Sequence, residues 1–111
     1  MANWLKRIFG MDKPANPAAA IAGQATSSDI PPHKVGLDGT FDESGLAKRV
    51  VLAFDEDPDV ADEDRLWVAQ TQSVVVLKGT VSDQATLDKM VSIARGVNGA
   101  TEVDTSQVTI G

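Results

Sequence analysis

The 111 residues carry 10 Lys and Arg against 16 Asp and Glu, a formal net charge of -6, with one His and no Cys. That length holds one small domain, and the lack of Cys excludes disulfides, thiolate catalysis and Cys-based zinc sites while fitting a reducing compartment. No apolar run approaches the roughly 18 residues of a membrane span.

The charge is uneven: residues 1–13 sum to +2, residues 14–40 to -1 and residues 41–111 to -7. A basic tip is joined to an acidic body. Affinity for a polyphosphate comes from Lys and Arg displacing counterions, so nucleic acid is not an expected partner of the body.

Residues 1–11 form the tip. As a helix it sets Met1, Trp4, Leu5, Ile8 and Phe9 on one side and Asn3, Lys6 and Arg7 largely on the other. This is the form of an interfacial membrane helix or a short docking peptide. Lys6 and Arg7 interrupt any signal-peptide core, and Ala2 stands where simple myristoylation needs Gly. The docking residues are then Trp4, Leu5, Lys6, Arg7, Ile8 and Phe9. The alternative is that the apolar four fold back and cover the body.

Residues 12–40 hold four of the five prolines and a polar run from Gln24 to Asp29, the composition of a flexible linker. Its one candidate element is a short helix over 17–22, capped by Asn16 and stopped by Gly23. As a coil the segment would span about 30 Å, at roughly 5–6 Å per square root of residue number.

From Phe41 the pattern is regular. Leu46, Val50, Ala53 and Phe54 share one helix face, Thr40 and Glu43 have capping-box spacing with Asp42 as a second cap, and the spacing predicts a helix over 43–54. An acidic stretch containing Pro58 follows. Leu66 and Val68 alternate with Trp67 and Ala69, and Val75, Leu77, Gly79 and Val81 alternate with Val74, Val76, Lys78 and Thr80, predicting an antiparallel hairpin that turns near Gln72 and Ser73. Ser82 or Asp83 can cap a second helix carrying Leu87, Met90, Val91 and Ala94 on one face, stopped by Gly96 and Gly99. A last strand runs over 101–110. The expected fold is α+β, a small αββαβ domain over 41–111 with a three-stranded sheet and two helices on one face.

The run Leu66-x-Val68, Val75-x-Leu77-x-Gly79-x-Val81, Ile93-Ala94-x-x-Val97-x-Gly99 and then Val103 resembles the BON domain family over residues 42–110. Ser73 stands where the family often has a hairpin Gly, Gln70 where it often has an apolar residue, and Ala100 where Val is usual. Val103 and Val108 are also out of phase, so a regular strand cannot put both on one face with Ile110, and a bulge or turn is expected between them. The resemblance implies a non-enzymatic binding module associated with membranes, phospholipids or envelope assemblies, with no catalytic residues to carry over and no cofactor. The layout is also similar to that of a cytoplasmic potassium-binding BON protein ending in a LysM domain; none follows in this sequence.

Two more constellations stand out. Asp55, Asp57 and Asp59, with Asp62, Glu63 and Asp64 after them, have the alternation of the first half of a calcium loop, but Val60 replaces the Gly and Leu66 the bidentate Glu such a loop needs. A solvated acidic loop competes with weak binding of calcium or, through the resemblance, potassium. If both helices cover the Leu66 face of the sheet, Trp67, Ala69, Val74 and Val76 point the other way, toward a partner or a second copy, unless the tip or linker covers them. Gly96-Val97-Asn98-Gly99 has the GXXG form but joins a helix to a strand, as a helix stop does. His33 is the only histidine, and neither a triad nor a metal site can be built on it.

The expected protein is a soluble, intracellular, non-enzymatic adaptor that docks on a membrane surface from the cytoplasmic side, or on a larger assembly, through its tip. A cation-responsive protein and a homo-oligomer built through the Trp67 face are the alternatives.

Overall fold

The chain is described by a computed structural model from residue 4 to residue 111, so the places expected for Met1 and Asn3 lie outside the described residues. In order come α1 (Trp4–Phe9), α2 (Pro17–Ala22), a 3-10 turn (Pro32–Lys34), α3 (Gly45–Glu56), β1 (Leu66–Thr71), β2 (Val74–Val81), α4 (Gln84–Arg95) and β3 (Glu102–Ile110). The three strands form one mixed sheet in the order β1-β2-β3, with β1 antiparallel and β3 parallel to β2. This is the expected αββαβ body, preceded by two short helices.

Alternation decides the faces of the sheet. Leu66, Val68, Val75, Leu77 and Val81 are buried in one cluster with Leu46, Val50 and Phe54 of α3 and Leu87, Met90 and Ala94 of α4. The hairpin turns through Gln72 and Ser73, and Gln72 alone takes a positive φ, of 55°. Glycine is therefore not required at 73, where Ser73 instead accepts the Thr101 N–H at 2.9 Å and ties the turn to the start of β3.

The expected irregularity in β3 is a bulge. Asp104 pairs with Val76 and Gln107 with Lys78, so Thr105 and Ser106 together oppose Leu77. The extra residue restores phase: Val103, Val108 and Ile110 pair with Val75, Gly79 and Val81 on the helix-covered face. At the head of α4, Asp83 rather than Ser82 caps, accepting the Thr86 N–H at 2.7 Å, and this bond holds its carboxyl below the usual carboxylate range.

The start of α3 differs from the capping box read in the sequence. Thr40 bonds back to Asp38, and no side chain of Ser44 caps the helix. The orphan Ala47 N–H is taken instead by Oε1 of Gln70, from β1, at 2.8 Å, while Nε2 of Gln70 donates to the carbonyls of His33 and Gln72. The polar residue at this apolar position of the family thus closes a helix terminus from the sheet. Gln70→Leu leaves those groups without their partner and should cost about 1–2 kcal/mol, the usual range for a lost cap. A urea titration of the two proteins reads the difference; equal midpoints would show the cap to be idle.

Residues 12–40 are not the free coil expected from their composition. Asn16 and Gly23 do bound α2, with the Asn16 carboxamide oxygen accepting the Ala19 N–H, and α2 packs on α3 through buried Ala20. Val35 then bridges Phe41, and the chain turns back with Gly36 N–H to Thr40 O at 2.8 Å and Asp42 N–H to Lys34 O at 2.7 Å. Gly45 lies so close to this segment that a Cβ would stand 2.3 Å from the Val35 carbonyl oxygen.

Arg49 fastens the segment. It lies on the apolar face of α3, three residues after Leu46, and is 0% exposed. Its Nε donates to the Val35 carbonyl at 2.8 Å, one terminal nitrogen to the Asn98 carbonyl at 2.6 Å and the other to the Pro32 carbonyl. No carboxylate pairs with it among the described residues, and burial lowers its pKa from the ordinary value. The Gly96–Gly99 stretch is thereby a docked helix stop. At φ +101°, Gly99 lets the chain pass so near Pro32 that a Cβ would stand 2.6 Å from its carbonyl oxygen.

Candidate functional site

The six residues expected to dock divide into two groups. Trp4 is 0% exposed and Leu5 1%. The Trp4 ring meets Phe54 edge-on at 5.1 Å, and its indole N–H donates to the Ala61 carbonyl at 3.1 Å. Asp55, nearly buried at the end of α3, accepts the Trp4 N–H at 2.8 Å and the Leu5 N–H at 3.0 Å, satisfying two donors that a helix start leaves without partners. The end of α1 that was to insert into a partner is therefore part of the body, as in the folded-back alternative. The physical reason is that Asp55 and the turn after it offer Trp4 a carboxylate, a carbonyl and an aromatic neighbour at once.

Arg7 is the second fastening. It donates to the carbonyls of Glu63 and Leu66, the latter at 2.6 Å, and its guanidinium lies between two indoles, 4.5 Å from the Trp4 ring centroid and 5.3 Å from that of Trp67. Its Nε is buried with no hydrogen-bond partner among the described residues. Burial lowers the Arg7 pKa, against the opposite pull of Asp64 and Asp55. Lys6, by contrast, is exposed and makes only a solvent-facing pair with Asp12 at 3.2 Å. Ile8, Phe9 and Met11 are half-buried at the surface, with Lys48 5.6 Å from the Phe9 ring. The helix is pinned at its first turn, and its last two residues pack half-buried against the edge of the core.

The acidic residues for which a solvated loop and a weak cation site were the alternatives are spread over separate tasks. Asp55 holds α1. Asp57 accepts the Asp59 N–H, and both carboxylates face the Lys89 ammonium, at 3.6 and 3.1 Å. Those contacts raise the Lys89 pKa, the Asp59 hydrogen bond most. Glu63 accepts the backbone N–H and hydroxyl of Ser82, while Asp62 and Asp64 are exposed. Among the described residues no three His, Cys, Asp or Glu side chains are grouped to hold a metal ion. The Lys89 ammonium faces two of the alternating carboxylates, those of Asp57 and Asp59.

Of the residues read on the open face, Trp67 is 49% exposed, Ala69 and Val74 are half-buried and Val76 is buried among its sheet neighbours. The register sets Trp67 across from Lys78, Ala69 across from Val76 and Asp104, and Thr71 across from Val74 and Glu102. His33 contacts Gln72 at 3.3 Å beside a polar cavity of about 240 Å³ that Lys34, Glu43 and Gln70 also line.

Among the described residues no helix is long and apolar enough to cross a membrane. Neither the curated proteins nor the solved structures gave a match to the chain. A family model, that of the BON domain, matches residues 42–111, from the turn before α3 to the last residue. BON domains are binding modules, and the match begins after α1 and α2. The matched region, its αββαβ order and its three-stranded sheet lead to one conclusion: this chain belongs to the BON domain family.

Proposed function

We propose that the protein is a non-enzymatic adaptor that attaches to an anionic phospholipid surface, with α1 as its membrane-facing element. The supporting observation is the division within α1: Trp4, Leu5 and Arg7 tie the helix to the body, while Lys6, Ile8 and Phe9 stand at the surface beside Met11. An exposed cation next to half-buried apolar side chains suits the headgroup boundary, where the apolar groups sit shallowly and the ammonium meets phosphate. Attachment in this form needs no release of Trp4. That matters because release would expose a buried indole and strip Asp55 of both its donors, a cost comparable to what Trp4 and Leu5 would regain in lipid.

Co-sedimentation of the full chain with vesicles tests the reading. Binding is expected on anionic vesicles, falling as salt rises, and not on neutral ones. Lys6→Glu should lower partitioning by about thirtyfold, since each basic side chain near such a surface contributes about 1 kcal/mol and the reversal counts twice. Phe9→Ala should weaken it several-fold. Both residues lie at the surface, so the urea midpoint of Lys6→Glu should match that of the parent. Absence of binding to any vesicle would overturn the lipid reading and direct the search to a protein groove.

A further inference from the structure

The sheet face opposite the helices has a polarity that the sequence pattern alone does not display. At one corner Lys78 stands directly across from Trp67, Arg65 lies two residues before Trp67, and the Arg7 guanidinium approaches the same indole. Toward the opposite corner β3 contributes Asp104, across from Val76, and Glu102, across from Val74. Lys78, Arg65, Glu102 and Asp104 make no ion pair among the described residues. Ser106 holds the Asp104 carboxyl below the usual carboxylate range, so it is ionised at neutral pH. Between the corners lies the apolar strip of Trp67, Ala69, Val74 and Val76.

A face with a positive corner, an apolar middle and a negative corner is complementary to itself. We propose that this face is the interface of a two-fold symmetric homodimer, with Val76 near the axis and the Lys78 corner of each copy against the Asp104 corner of the other. An isologous contact of this kind places every residue pair twice, so each unpaired charge on the face acquires an opposite one. In a body of strongly negative charge, two copies otherwise repel, and only an orientation that brings the basic corners to the acidic ones relieves this. Three strands about 4.8 Å apart and six, eight and nine residues long present roughly 400 Å² per copy. That lies below the about 800 Å² per partner of standard stable interfaces, so the dimer is weak and exchanges with monomer in the micromolar range or above. Its consequence is avidity: two α1 surfaces on one particle multiply a weak attachment without any new contact. The dimer does not depend on the lipid reading, and its test contains no lipid in the first arm.

Sedimentation equilibrium of the full chain, from about 10 μM to about 1 mM, reads the association directly. A concentration-dependent dimer that loosens with added salt is expected. Trp67→Glu should be monomeric throughout, and Lys78→Glu or Asp104→Lys alone should weaken association at least tenfold. The double variant Lys78→Glu with Asp104→Lys should recover most of it, because the corners are exchanged but still opposite. Trp67 and Lys78 are exposed, so circular dichroism should show these variants folded. A parent monomeric at every concentration overturns the proposal, as does a dimer indifferent to Lys78→Glu. A parent that stays monomeric while Trp67 emission shifts on anionic vesicles overturns it too, and assigns the face to lipid.

Discussion

Replacing Arg49 by alanine should lower the unfolding free energy by about 3–5 kcal/mol, a large fraction of the roughly 5–15 kcal/mol of a small domain. The side chain is fully buried, and its planar fork serves the carbonyls of Pro32, Val35 and Asn98 at once. Truncation leaves three acceptors facing a cavity, and each unsatisfied buried group costs about 1–3 kcal/mol before relaxation. Arg49→Met separates the two contributions, because it fills much of the space and bonds to none of the carbonyls. It should recover only a minor part of the loss. Arg49→Lys keeps a charge but offers a compact ammonium in place of a fork, and should fall between. Urea unfolding measures all three; a methionine variant as stable as the parent would show that Arg49 acts by bulk alone.

The second large effect concerns Trp4. Trp4→Ala removes a buried indole, its edge contact with Phe54 and its bond to Ala61, and should cost about 3–5 kcal/mol if α1 remains docked. The loss is bounded by the whole docking energy of α1, since the helix can detach while the body stays folded. Fluorescence gives the position independently. The chain has two tryptophans, so Trp67→Phe leaves Trp4 as the sole emitter. Its emission should be blue-shifted and resistant to iodide in the folded protein, becoming exposed on adding Asp55→Ala, which withdraws the acceptor of the Trp4 and Leu5 N–H groups. A Trp4 that is quenched freely in the parent would show a detached tip.

Much of the body is legible from periodicity. Alternation over 66–81 names the buried face of the hairpin, and the phase conflict between Val103 and Val108 announces the bulge before its register is known. What periodicity does not reach is bonding from side chain to distant backbone. Gln70, Arg49 and Asp55 each satisfy main-chain groups 14 to 51 positions away, and a carbonyl carries no sequence label. One signal was present: Arg49 lies at i+3 from Leu46 and i-1 from Val50, inside the apolar stripe, where a charge must find partners or be excluded. The segment 12–40 was misleading for a related reason. Its prolines and glycines mark turns as well as disorder, and here Pro32 and Gly36 shape a hairpin-like return that Arg49 clasps. For the tip, amphipathicity showed that Trp4, Leu5, Ile8 and Phe9 need a cover without naming which one, and the choice rests on Asp55, whose acidic neighbours disguise it as one more solvated charge.

The docking of α1 also has a temporal side. Its anchors, Asp55, Ala61, Glu63 and Leu66, come more than 45 residues after Phe9 in the chain. At a synthesis rate of about 5–20 residues per second, the helix leaves the ribosome several seconds before its receptor exists. During that interval Trp4, Leu5, Ile8 and Phe9 are presented together on a nascent chain, open to any chaperone or membrane nearby, and completion of β1 is the event that withdraws the first two from reach.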